Sequence, residues 1–124
     1  MTMKKIQAFF LALTITAIPG VAIAQAGGSD QDQVDCAAYY GIMAELSLAN
    51  RDRQTASQYD ATAGYAFDSV MSRNQHNQRA IETLASRLNT VMEEMNAMLG
   101  PDGDPAELIR RYDDPCRRLI TGQR

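Results

Sequence analysis

The sequence predicts an all-α protein, a small up-and-down helical bundle of about four segments closed by one disulfide. Three observations predict it. Apolar residues recur at alternating steps of three and four from Ala56 to Leu99, no polar-apolar alternation is long enough for a strand, and the only two cysteines, Cys36 and Cys116, stand far apart in the 124-residue chain. The segments fall at roughly 34–50, 53–73, 77–99 and 105–121, the last broken near Pro115.

The N-terminus reads as a secretory signal over residues 1–24. Lys4 and Lys5 form a positive start, Ile6 to Ile18 is an apolar run too short to span a bilayer, and small-residue cleavage sites follow at Ala24 or Ala26. The expected domains are then a flexible polar lead-in over 25–33, a single helical domain over 34–121 and a short tail at 122–124. Export places the chain in a periplasm or outside the cell, where thiols oxidise and two cysteines pair. A Cys36–Cys116 bond closes a loop of about 80 residues and restricts the unfolded chain by roughly 4–4.5 kcal/mol. No C-x-x-C spacing points to a redox pair.

Asp35 is placed to cap the first helix, whose apolar positions Cys36, Tyr39, Tyr40, Met43 and Leu46 share one face. Adjacent tyrosines cannot both enter a core on that one face, so one of Tyr39 and Tyr40 is expected at the surface or in a groove. The long seam from Ala56 to Leu99 turns polar at Asn74 and Asn77, where asparagine competes for backbone hydrogen bonds. A hairpin of two helices is favoured there over one continuous rod. Ala63, Ala66 and Phe67 line the first of the two, so a neighbour can approach closely, and Ile81 to Leu99 supplies most of the aliphatic volume.

Gly100-Pro101-Asp102-Gly103 is a stop and turn, and Asp104-Pro105-Ala106-Glu107 starts a helix with a capping aspartate and proline in the first turn. Asp113-Asp114-Pro115 repeats that pattern and predicts a second start, so the disulfide would join the beginning of the first helix to the beginning of the last. A domain this small buries a modest share of its surface, and a covalent staple suits it.

Composition narrows the function. The formal charge of −3 becomes −5 once Lys4 and Lys5 leave, and every remaining cation is an arginine. An acidic chain of this kind lacks the basic face that nucleic acid demands. Met92, Met95 and Met98 stand at steps of three and offer thioethers suited to Cu(I), but methionine at such positions is first a core filler. His76 lies alone in a polar turn, and no nucleophile motif accompanies it. Glu93-Glu94 and Asp113-Asp114 are adjacent rather than opposed, unlike an acid and base pair.

No catalytic residue and no cofactor is therefore assigned. The expected role is a non-enzymatic binding or assembly module of the bacterial cell envelope, with a protein or peptide as partner and a groove between helices as its site. Tyr39, Tyr40, Arg110, Arg111, Arg117 and Arg118 are the candidate contact residues, the arginines suiting an acidic partner or anionic headgroups. Two alternatives stand beside it: Cu(I) handling by Met92, Met95 and Met98, and an oligomeric coiled-coil spacer whose register Asn74 and Asn77 would fix.

Overall fold

The computed structural model describes residues 29–121, with nothing taken from the side chain of Thr121. The expected signal over 1–24, the lead-in as far as residue 28 and the tail at 122–124 lie outside the described residues. Four helices follow one another: α1 Asp30–Ala49, α2 Arg53–Arg73, α3 Gln78–Ala97 and α4 Ala106–Thr121, with a short 3-10 turn at Pro101–Gly103 before the last. Among the described residues there is no strand.

Helix α1 begins earlier than the sequence suggested. Ser29 is its N-cap, accepting a hydrogen bond from the Asp32 N–H at 3.0 Å, while the Asp32 carboxylate accepts from the Ser29 N–H at 3.4 Å. This reciprocal box satisfies two otherwise orphaned donors. Asp35 is therefore not a cap: it sits inside the helix and binds the Arg87 guanidinium through both oxygens, at 2.7 and 2.8 Å. Residues 30–33 are likewise no flexible lead-in, because Asp30 accepts from Arg73 and from the Asn74 side chain and Gln33 donates to the Ala66 carbonyl. Those contacts tie the first turn of α1 to the far end of α2.

Helix α1 is also buried on every side rather than on one. Between Val34 and Ala44 only Asp35 and Gly41 escape burial. A helix without a polar face has to be surrounded, and α2, α3 and α4 each pack chiefly on α1 rather than on one another. Pairings fix their directions. Tyr40 meets Tyr59 while Asp30 meets Arg73, so α2 runs antiparallel to α1. Asp35 meets Arg87 while Gly41 faces Met92, so α3 runs parallel. Cys36 meets Cys116 while Leu46 lies against Gly103, so α4 returns antiparallel.

The seam over 53–99 folds into the expected hairpin. Asn74 closes α2, its side chain donating to the Val70 carbonyl and to Asp30, and Asn77 opens α3 by accepting from the Ala80 N–H. Both asparagines are spent on helix ends, which removes the continuous seam that a coiled-coil spacer would need.

The main core joins Tyr39, Ile42, Met43, Val91, Met95, Leu108 and the disulfide, and a smaller cluster of Val34, Val70 and Leu84 is packed by Phe67, Met71 and Leu88. The disulfide links Cys36 and Cys116 with Cα atoms 5.3 Å apart. It joins the early part of α1 to the later part of α4, not two helix beginnings, since α4 runs unbroken through Pro115. Proline there removes one hydrogen bond to the Arg111 carbonyl and costs about 3 kcal/mol. Burial of Leu108 and Cys116 on either side of it holds the helix in register. Asp104 does cap the helix start, accepting from the Ala106 N–H at 3.1 Å.

Two turns place a side chain in the left-handed region, at Arg51 and at Asp102. Arg51 has φ 62° and follows α1 with the Asp52 N–H donating to Ser47 and its own N–H to Leu48, the paired bonds of a Schellman cap. A side chain in that left-handed region costs about 1–2 kcal/mol, against about 0.5–1 kcal/mol of extra chain entropy for glycine. Arg51→Gly should thus raise the urea midpoint with an unchanged slope, a gain of about 0.5–1 kcal/mol; an unchanged or lower midpoint contradicts the cap assignment. Replacing both cysteines by alanine should lower stability by about 2–5 kcal/mol in the same measurement, and a loss under 1 kcal/mol would show that the helices hold α4 without the bond.

Candidate functional site

Gly41, Glu45 and Leu48 continue along α1 a stripe begun by Val34 and Ala38, since helix positions three and four apart share a face. In its first half the stripe is sealed from both sides: Phe67 and Met71 of α2 and Leu84 and Leu88 of α3 close over Val34. In its second half the covering side chains on the α2 side are small or polar. Ala56, Ser57 and Asp60 stand on the α2 side and Met92 on the α3 side, and the space between opens into a groove of about 570 Å³. That volume lies within the range of small-ligand and side-chain pockets.

The groove floor is Gly41, Ala44, Ala56 and Met92, and Leu48 stands on its rim with 57 % of its surface exposed. Glu45, Arg53 and Asp60 complete the rim, all exposed, and none of the three has an ion pair or side-chain hydrogen bond among the described residues. Ion pairs form elsewhere, from α1 to α2 and α3 and along α4. Asp30 holds Arg73, Asp35 holds Arg87, Glu107 holds Arg110 and Arg111, and Asp113 and Asp114 hold Arg117 and Arg118.

The residues expected to contact a partner do not gather here. Tyr39 and Tyr40 are both buried, at 0 % and 7 % exposure. Neither reaches the surface, because α1 has packing partners on all sides and can bury adjacent side chains. Tyr39 stacks on Tyr112 at 6.1 Å and meets Tyr40 at 5.2 Å, and Tyr40 stacks on Tyr59 at 6.0 Å. The Tyr39 hydroxyl donates to Asp113 at 2.9 Å. Arg110, Arg111, Arg117 and Arg118 are exposed, but each faces a carboxylate of its own helix, which leaves α4 little surplus positive field. Met95 is fully buried, and Met92 and Met98 pack against the same cluster, so the three thioethers serve the core and one of them also lines the groove. His76 is exposed in the turn between α2 and α3. No group of three or more His, Cys, Asp and Glu side chains among the described residues is arranged to hold a metal ion.

A second, smaller cleft of about 400 Å³ lies over the disulfide between Asp32, Asp35, Arg111, Tyr112 and Leu119. Both cysteines are buried beneath it. The sequence did not single out the larger groove, since its floor is made of glycine and alanine; the one available signal was the change from Phe67 and Met71 to Ala56, Ser57 and Asp60 along a single face of α2. No family model matches this chain, and no curated protein or solved structure is significantly similar to it.

Burial, reinforced by the hydrogen bond and charge of Asp113, pushes the Tyr39 hydroxyl far above the ordinary tyrosine range, and burial raises Tyr40 as well. The folded value exceeds the unfolded one, so the stabilisation is complete below about pH 10 and is lost as pH rises beyond it. Urea midpoints should fall steeply above about pH 10, and Tyr39→Phe should flatten that fall while costing about 1 kcal/mol at pH 7. Parallel alkaline curves for the two proteins would refute the role given to Tyr39.

Proposed function

We propose that this chain is an exported, non-enzymatic binding or assembly module of the bacterial cell envelope that receives apolar side chains of a partner helix in the groove between α2 and α3. One observation carries the reading: a single stripe of α1 is sealed over Val34 and open from Gly41 to Leu48, so an apolar surface is left beside a side chain that projects from it. Helix-in-groove recognition uses this arrangement, with anchors at steps of three and four entering an apolar channel.

Export is supported by the charged and apolar N-terminal pattern and by the Cys36–Cys116 bond, which belongs to an oxidising compartment. No described helix is long and apolar enough to cross a membrane. The non-enzymatic reading is supported by what the chemistry-bearing residues are doing. Both thiols form the disulfide, the buried tyrosines pack the core, and the paired carboxylates Asp113 and Asp114 hold arginines. The acidic charge and self-paired arginines disfavour nucleic acid and give anionic headgroups little to bind.

The test uses a synthetic amphipathic helical peptide with leucines at i, i+3, i+4 and i+7, titrated into the isotopically labelled full chain expressed with its own N-terminal segment. Amide shifts should concentrate at Gly41, Ala44, Leu48, Ala56 and Ser57 and disappear in Leu48→Asp. Shifts absent from that set, or centred on the arginines of α4, would end the groove reading.

A further inference from the structure

We infer that the partner is a second copy of this chain, docked groove to groove about a two-fold axis passing beside Ser57. The inference rests on the groove being a binding surface, and its own support is the pattern of charge and size along α2. Arg53, Ser57, Asp60 and Gly64 form one outward stripe, at steps of four, three and four, and all are exposed. A cation opens the stripe, an anion stands two turns later, and small residues occupy the middle and the end.

That order is complementary to itself when reversed. Two α2 helices crossing antiparallel about a two-fold axis between Ala56 and Ser57 bring Arg53 of each copy opposite Asp60 of the other, the reciprocity a closed symmetric dimer requires. Arg53 and Asp60 have no ion pair among the described residues of their own chain. The center of the contact carries only alanine and serine, so the two backbones can come close. Gly64 has nothing within 4 Å of the position its Cβ would take, which leaves the far end of the stripe equally open.

Leu48 supplies the apolar part. It projects from the rim of the groove, and the two-fold operation that pairs Arg53 with Asp60 carries Leu48 of one copy toward the floor of Gly41, Ala44, Ala56 and Met92 in the other. A partner with one sign of charge would satisfy only Arg53 or only Asp60; a second copy satisfies both. The open half of the α1 stripe, from Gly41 to Leu48, is about 10 Å long. This is short beside the interfaces of obligate dimers, so an exchanging dimer with a Kd on the order of 10 μM is expected.

Sedimentation equilibrium on the full chain expressed with its own N-terminal segment, from about 1 μM to 500 μM, reads the association directly. The mass should rise from monomer to dimer. Leu48→Asp should weaken association about tenfold or more, Arg53→Asp and Asp60→Arg should each do so, and the double reversal should restore it. Ser57→Cys should form an intermolecular disulfide on mild oxidation, whereas Arg79→Cys, on α3, should not. All these positions are exposed, and unchanged thermal melts of the monomers establish that the variants fold. A monomer throughout the range overturns the inference, as does a dimer indifferent to Leu48→Asp and to charge reversal. A monomer that still takes the leucine peptide ends self-association alone; one that takes neither ends the groove reading with it.

Discussion

A helix apolar on every side has no stable place at a surface, and α1 is such a helix from Val34 to Ala44. Its burial removes apolar area from water at roughly 25 cal/mol per Å², the largest favourable term open to a chain of this size. The other helices need only one apolar face each. Helix α4 shows the complementary pattern most clearly, with Leu108, Tyr112, Cys116 and Leu119 at steps of four, four and three and seven charged residues on its other faces. Because α2, α3 and α4 depend on α1 more than on one another, anything that loosens α1 loosens the whole bundle.

The attachment of α4 illustrates how unequal the fastenings are. It touches α1 less extensively than α2 or α3 does, and it contains a proline that costs about 3 kcal/mol. Its visible ion pairs are exposed and link residues of the same helix, so solvent screens them and none ties α4 to α1. The other attachments are the burial of Leu108, the packing of the half-buried Tyr112, Leu119 and Ile120, the hydrogen bond from Tyr39 to Asp113, and the covalent bond at Cys116. A chain-entropy contribution of roughly 4 kcal/mol exceeds the proline penalty, and the hydrogen bond adds about 1–2 kcal/mol by reaching a charged acceptor. The disulfide therefore compensates a weakness of α4 itself.

Much of this architecture was legible in the sequence because it rests on local rules. The three-four spacing located α2 and α3, asparagine marked their turn, and Gly100-Pro101-Asp102-Gly103 marked the next, where Asp102 and Gly103 take left-handed φ values of 59° and 74°. The features that were not legible depend on position in space. Asp35 looks like a cap until Arg87 is placed beside it, and Ser29 with Asp32 is a capping box that uses aspartate in place of the usual glutamate. Asp113-Asp114-Pro115 repeats the helix start at Asp104-Pro105, yet here buried neighbours on both sides carry the helix through. The burial of both Tyr39 and Tyr40 follows only from α1 being central, a fact of topology that no single-helix pattern contains.

The same logic bears on where function resides. Tyrosine, arginine, methionine and histidine drew attention because their side chains can do chemistry, but a small bundle has few large residues and uses most of them to hold itself together. Tyr39 and Tyr40 fill the core, the arginines of α4 neutralise its carboxylates, and Met95 is packed away. What the fold leaves over is set instead by residues that contribute little volume. Gly41, Ala44 and Ala56 cannot close the space that Phe67 and Met71 close three to four turns farther along α2, so the second half of the stripe stays open. Filling it with larger side chains would be the inexpensive way to stabilise a protein that otherwise relies on a disulfide. Keeping it open, beside an exposed leucine and three charges without partners among the described residues, is an arrangement that stability alone does not favour, and it is this mismatch that makes the groove the place to look for a partner.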